Sequence, residues 1–399
     1  MTAAAIYLDH NATTAPLPEV IEAMAACMRQ HWANASSPHA MGQQSRQLMM
    51  QARAQVARLL GCKPAELVFT SGATEANQMA LRGAIGFEGR RRLLVSAGEH
   101  AGVQKLARHL ATQAAVPVDW IGLTPQGGLD IEQAERLMGD DVALVSVMAA
   151  NNETGVLMPI ADMARLAHAK GALLHVDATQ LVGKLPFDFG SCAADLVSVS
   201  AHKLAGPKGV GALIVRQGLN WPALFQGSQE RARRGGTENL PGIAGFGVAA
   251  EHCTMPPDAW PTYATRQGSL RDQLERGLLA RLPGTVIFGV DQPRLPNTSY
   301  LRFGRLPADM VLQRLERLGV MASSGAACSA TGQEPSAVLM AMGVPRDEAL
   351  CAIRFSLSPA TTVAQITYLL QHLPAELLPC LEQASVPASH PLSPSGVFA

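Results

Sequence analysis

The sequence predicts an α/β protein, a mostly parallel sheet covered by helices, followed by a smaller α+β domain. Three observations lead there. Short apolar runs rich in Val, Leu and Ile recur between longer segments of helical period, and such alternation gives parallel strands with helices on both faces. Of 399 residues, 48% are hydrophobic and only 16% charged, enough apolar surface for a large buried core. A Pro-containing break at residues 255–257 then follows a Gly/Ala-rich helix, and the pattern changes beyond it.

In chain order the predicted strands are 66–70, 93–97, 142–148, 173–176, 195–200 and 210–215. Between the N-terminus and the first of them, residues 39–60 repeat Leu48, Ala52, Val56 and Leu59 at helical spacing. Residues 160–170 read the same way, with Gly171 as their C-cap. Past the break come a long polar helix at 266–281, strand-like pieces at 286–289 and 298–303, and further helices. The large domain is therefore 15–257. The small domain is 1–14 with 258–384, and 385–399, rich in Ser and Pro, is a flexible tail. No internal repeat is present.

Bulk properties narrow the function. Lys+Arg and Asp+Glu are both 32, so no net charge favours nucleic acid or an acidic membrane surface. No apolar stretch reaches the roughly 18 residues that span a bilayer. The N-terminus lacks the basic start and apolar run of a signal peptide. Seven cysteines, an odd number without a CxxC pair or zinc-like spacing, fit a reducing compartment better than a disulfide scaffold. The expectation is a cytoplasmic protein without a metal site.

Residues 198–211, SVSAHKLAGPKGVG, set Ser200, His202 and Lys203 at a strand end before a glycine-rich turn. Ligands of open α/β sheets bind beyond the carboxyl ends of the strands. A lysine deprotonated there could form a Schiff base; the plain alternative is a surface lysine in a loop. Residues 68–77, VFTSGATEAN, read as strand, Ser/Gly turn and helix. Free N–H groups at the helix start, with Ser71 and Thr74, make an anion cradle, although glycine turns before helices are common. In LLHVDATQLVGK, residues 173–184, Asp177 closes an apolar strand, a costly place for a carboxylate without a cationic partner. A protonated pyridine nitrogen would be such a partner, and a capping role for the next helix is the alternative. Lysine, carboxylate and phosphate cradle together suit a phosphorylated aldehyde cofactor far more specifically than any one of them.

Cys328 lies in SSGAACSATGQEPS, residues 323–336, small and polar with no apolar periodicity, which reads as an exposed, mobile loop. The other six cysteines adjoin apolar or helical segments and read as small inert hydrophobes. A thiol on such a loop is a chemical liability unless it is used.

In order along the chain stand YLDHNATT (7–14), NASSPHAMG (34–42), TSGATEAN (70–77), GEH (98–100), NNETG (151–155) and HVDATQ (175–180). SAHKLAGPKG (200–209), RRGGTEN (233–239), LPNTS (295–299), SSGAACSA (323–330) and IRFSLS (353–358) complete the series. With these motifs the sequence resembles the cysteine desulfurases of the NifS/IscS type, in the class V aminotransferase group, over nearly the whole chain. The resemblance implies the pyridoxal-phosphate-dependent transferase fold (fold type I, aspartate-aminotransferase-like), with a seven-stranded sheet in the large domain and an acceptor loop at about 321–335. It implies a homodimer that removes sulfur from L-cysteine, leaving L-alanine and a persulfide on Cys328. A sulfur-acceptor protein, such as an iron–sulfur scaffold, would take the sulfur for cluster assembly, nitrogenase included, or another thio-cofactor. No nucleic acid and no membrane would take part directly.

At the matching positions Lys203 would hold pyridoxal phosphate covalently, His100 would stack on its ring and carry protons, and Asp177 would bind the ring nitrogen. Gln180 would bind the ring's phenolic oxygen. Ala73, Thr74, Ser200 and His202 would hold the phosphate, with Thr237 from the partner subunit. Asn152 and Arg354 would meet the substrate, Arg354 as the carboxylate clamp. Cys328 would accept the sulfur and is a candidate transient iron–sulfur ligand; no other metal ligand is implied. From the residues alone, His100 could be a core histidine, Arg354 could pair with a neighbouring carboxylate, and Asn152 could serve a turn.

Some positions depart from the usual pattern. The glycine-rich GGGQE before the Thr237 segment is QGSQE here (226–230), which reduces backbone freedom. Ala326 and Ala327 stand where a serine and an alanine are usual, and the tail is unlike a scaffold-docking tail. Selenocysteine lyase, which also uses a loop cysteine, is the nearest rival. A transaminase or epimerase would not need the loop thiol, and a non-catalytic sulfur-transfer scaffold would not need Lys203 and Asp177.

Overall fold

The computed structural model describes residues 5–325 and 334–385. Cys328 with the centre of the predicted acceptor loop, and the predicted tail beyond Ser385, lie outside the described residues.

A short strand, β1 (Ile6–Tyr7), comes first. The main sheet follows, made of β2 (Leu67–Thr70), β3 (Arg92–Ser96), β4 (Val118–Ile121), β5 (Val142–Met148), β6 (Leu173–Asp177), β7 (Leu196–Ser200) and β8 (Gly211–Val215). Its spatial order is β2-β8-β7-β6-β5-β3-β4, and only β8 runs antiparallel to its neighbours. Six strands stand within a residue or so of the predicted ones. The seventh, which the resemblance implied without a place, is β4; the apolar runs did not show it, because this edge strand reads VDWI and buries only Ile121 fully.

Successive residues along the strands enter different cores. Leu67 and Phe69, Val145 and Val147, Leu174 and Val176 pack on one face, while Val68, Leu93, Val95, Leu173 and Leu213 pack on the other. Both faces are therefore dry, as a mostly parallel sheet requires. Helix Ala40–Leu60 starts where His39 accepts a bond from the Gly42 N–H (3.2 Å) and stops at Gly61 (φ 63°).

Four more strands follow: β9 (Thr285–Ile287), β10 (Thr298–Phe303), β11 (Val320–Met321) and β12 (Ala352–Ser356). The order β12-β10-β9 is antiparallel, and β11 pairs in parallel with β1. A second core gathers Ile6 and Leu8 from the chain start with Leu274, Phe303, Val311, Phe355 and Leu373. Helix Ala259–Arg281 begins earlier than its periodicity predicts, with Pro261 inside the first turn, where a helix has no use for the missing N–H.

The placement of the site follows from the strand order. The chain runs from β3 out to β4 and returns past β3 to β5, so the direction of winding reverses there. Crevices at such reversals, beyond the carboxyl ends of the strands, are where α/β sheets bind ligands.

Candidate active site

A cavity of about 520 Å³ opens at that end of the sheet. The segments after β2, β3, β5, β6 and β7 supply Ala73 and Thr74, His100, Asn152, Asp177 and Gln180, and Ser200, His202 and Lys203. Residues Asn11 to Thr13 and Arg354 close it from the side of the second core. The cavity thus assembles ten of the predicted residues from distant parts of the sequence.

Lys203 Nζ donates to the carbonyl oxygens of Asn11 (2.5 Å) and Ala12 (2.7 Å) and has no carboxylate on it. Burial, and then the Arg354 charge, lower its pKa to about 8, with Asp177 and Asp9 pulling the other way. A sizeable fraction of the amine is therefore neutral near pH 8, the state in which it attacks an aldehyde.

Asp177 is 6% exposed and accepts from Asn77 Nδ2 (2.8 Å) and the Thr179 N–H (3.0 Å). Both donors are neutral, so a buried carboxylate faces the cavity without a counter-ion among the described residues. A buried chain continues beside it. Ser146 Oγ lies 3.1 Å from Glu99 Oε1 and 2.9 Å from His175 Nδ1, and His175 Nε2 lies 2.9 Å from Ser198 Oγ. Burial and the Asp177 charge push Glu99 up to about 8, and burial pulls His175 down to about 4. Both are therefore uncharged at pH 7.

His100 caps helix Ala101–Gln113, its Nδ1 accepting from the Gly102 N–H (3.1 Å). That bond puts the ring proton of the neutral imidazole on Nε2. Desolvation, with the Lys203 and Lys105 charges, holds its pKa below the ordinary value against the pull of Asp177.

Helix Ala73–Gly83 has no side-chain cap. Its N-cap, Gly72, sits at φ 153° and ψ 178°, a region essentially reserved for glycine. The turn packs tightly on β8, for a Cβ at Gly211 would come within 2.7 Å of Gly72 Cα. Uncapped N–H groups, Ser200, His202 and Lys208 thus surround one end of the cavity, a fitting receptacle for a phosphate. His202 Nδ1 lies 3.2 Å from Thr13 Oγ1, and burial with the Lys203 and Lys208 charges brings it down to about 4.

At the other end Arg354, 1% exposed, pairs with Asp9 (2.6 Å) and donates to the Asn152 carbonyl (3.0 Å). The pairing with a carboxylate read from the sequence as an alternative is therefore present, on a residue that also lines the cavity. The turn chemistry weighed for Asn152 belongs to Asn151, whose Oδ1 accepts from the N–H groups of Glu153 and Thr154 (both 2.9 Å). Asn152 is left facing the cavity.

Thr237 does not join this group. It lines a smaller cavity of about 110 Å³, which shares Ser71 and Gly209 with the large one. Three contributors went unassigned in the sequence. Asn11 binds Lys184, Thr298 and the Ser356 hydroxyl while giving its carbonyl to Lys203 and Gln180. Asn77 orients Asp177, and Lys184 holds Gln180. Asn77 carried a local signal, a polar residue between Ala76 and Met79 on the buried side of its helix.

The family model for aminotransferase class-V matches residues 6–369. The cysteine desulfurase of Cereibacter sphaeroides is 45% identical over 372 residues, which cover 92% of this chain and 95% of that one. Among solved structures, a NifS-like protein superposes with a TM-score of 0.86 at 34% identity, covering 94% of this chain and 99% of its own. SspA in complex with cysteine superposes with a TM-score of 0.78 at 30% identity, covering 90% and 100%.

Proposed function

Because the chain belongs to the aminotransferase class-V family and is a pyridoxal-phosphate-dependent cysteine desulfurase, we propose that the cavity holds cofactor and L-cysteine together and that Cys328 receives the sulfur. The observation behind this reading is the convergence in one cavity of a lysine lowered to about 8, an uncapped helix start and a buried carboxylate without a counter-ion. These features match an aldehyde, a phosphate and a protonated ring nitrogen. Bound there, pyridoxal phosphate supplies an electron sink for the pair released at the substrate's Cα.

The chain's own groups do the rest. Lys203 holds the aldehyde carbon, Asp177 the ring nitrogen and Gln180 the ring oxygen, while Ala73, Thr74, Ser200 and His202 hold the phosphate. Arg354 turns its guanidinium to the substrate carboxylate, with Asn152 beside it. Lys203 Nζ would take the Cα proton, and His100, whose Nε2 carries the ring proton, would be the second proton carrier. Cys328 Sγ, as thiolate, bonds the substrate sulfur; the C–S bond breaks and its pair stays with carbon. Protonation of that carbon skeleton completes L-alanine. An acceptor protein then takes the persulfide sulfur for iron–sulfur clusters or another thio-cofactor.

We further assign residues 15–257 to the cofactor domain, with 1–14 and 258–384 as the small domain. The enzyme is placed in the reducing cytoplasm, in keeping with six free thiols among the described residues. It is a homodimer in which each subunit lends Thr237 to the other's phosphate site. Exposed apolar side chains at Ile21, Met28, Trp32, Met41 and Met50 support such an interface.

The test is release of sulfide and alanine from L-cysteine with a reductant. Wild type gives both in equal amounts, and Cys328→Ala keeps its yellow cofactor but loses the turnover. Unchanged turnover in that variant refutes the acceptor role of Cys328.

A further inference from the structure

Lys184 ends the HVDATQLVGK run and has no part in the roles above. Its side chain is buried, and its Nζ donates to Gln180 Oε1 at 2.6 Å and to Asn11 Oδ1 at 2.8 Å. No carboxylate pairs with it among the described residues. Burial, then the charges of Lys203 and Arg354, hold its pKa well below the usual lysine value; His10 also feels its charge. Two of its N–H bonds thus meet amide oxygens.

These two bonds decide how the amides face. With its oxygen held by Lys184, Gln180 gives one N–H to the Asn11 carbonyl at 3.0 Å. The second N–H has no partner among the described residues, and Gln180 lines the cavity. The reversed amide would set Gln180 Oε1 against the Asn11 carbonyl oxygen, two acceptors with no proton between them. Asn11 is oriented in the same way, so that its Nδ2 reaches Thr298 Oγ1 (2.9 Å) and the Asn152 carbonyl (3.2 Å).

We propose that Lys184 is a positioning residue: by holding the oxygen of Gln180, it presents the remaining Gln180 N–H to the cavity as a fixed donor to the ring oxygen of the bound cofactor. This rests on the role given to Gln180 above. A donor at that oxygen withdraws negative charge from the ring. It thereby lowers the pH at which the lysine–cofactor linkage takes up its proton, and losing the donor raises that pH.

The experiment is a spectrophotometric pH titration of the visible cofactor band in the holoenzyme, comparing wild type, Lys184→Met, Gln180→Ala and the double variant. Lys184→Leu replaces Lys184→Met if the latter does not fold. Each single variant is expected to move the transition up by about one pH unit, the scale of a lost hydrogen bond to a charged group. The double variant is expected to move no further than Gln180→Ala. No shift in Gln180→Ala overturns the role of Gln180 and this proposal with it. A shift in Gln180→Ala without one in the Lys184 variant overturns the proposal alone, and so does an added shift in the double variant, because Lys184 would then act elsewhere.

Discussion

Burial moves Lys203 down and Glu99 up, both to about 8, and a pH series on the wild type alone would merge the two. Folding stability separates them. The Glu99 carboxyl has an ordinary value of 4.5, so between that pH and 8 the folded state holds a proton that the unfolded state has lost. Stability therefore falls as pH rises through this window. Glu99→Gln keeps the neutral shape and removes the titration. Its melting temperature should gain on the wild type by a few degrees between pH 5 and pH 8; parallel melting curves across that range would refute the proton on Glu99. At this scale the sequence was legible where a residue's neighbours in sequence declare its setting, as the apolar strand does for Asp177. It was silent on Lys184, because the amides that bind it come from Gln180 in the preceding turn and from Asn11, far away in sequence.

Among the elements, the turn before Thr237 is the strained one. Glu230, Arg231 and Ala232 stand in succession at φ 46°, 59° and 61°, where a Cβ crowds the backbone at a cost of about 1–2 kcal/mol per residue. A buried ion pair holds them: Glu230 meets Arg53 at 2.5 Å and accepts from the Phe69 N–H at 2.9 Å. Arg234 continues the tie by pairing with Glu75 (2.9 Å), which also accepts from the Ser71 N–H at the phosphate turn. The QGSQE run marked this stretch in the sequence as short of backbone freedom. Its handedness was not readable, since it depends on the grip of Arg53. Ala232→Gly is expected to stabilise the protein by about 1 kcal/mol in urea denaturation, and a destabilised variant would show that the turn is not strained. The missed strand β4 and the early start of helix Ala259–Arg281 have one explanation. Each lies where few apolar side chains are buried, so periodicity had little to report.

For the molecule as a whole, the proposed homodimer sets a second copy against the helices Pro18–Gln30 and Ala40–Leu60. Trp32 is 71% exposed and Met28 57%, large apolar groups that a second copy would shelter. Met28→Glu with Trp32→Glu should convert a dimer to a monomer by light scattering and loosen the cofactor. A dimer that survives both changes would move the interface elsewhere. The chain's route through the site has a further result, which concerns time. Arg354 and its partner Asp9 are 345 residues apart, and the Asn11 and Ala12 carbonyls that hold Lys203 sit beside Asp9. A ribosome adding about 5–20 residues per second needs on the order of tens of seconds to span that gap. Until β12 has been made, Asp9 lacks its guanidinium partner and Asn11 the Ser356 hydroxyl, while Lys184, Gln180 and Asn152 already stand ready to hold Asn11. The growing chain thus lacks the Arg354 charge, the second cause that lowers the Lys203 pKa, until β12 has been added.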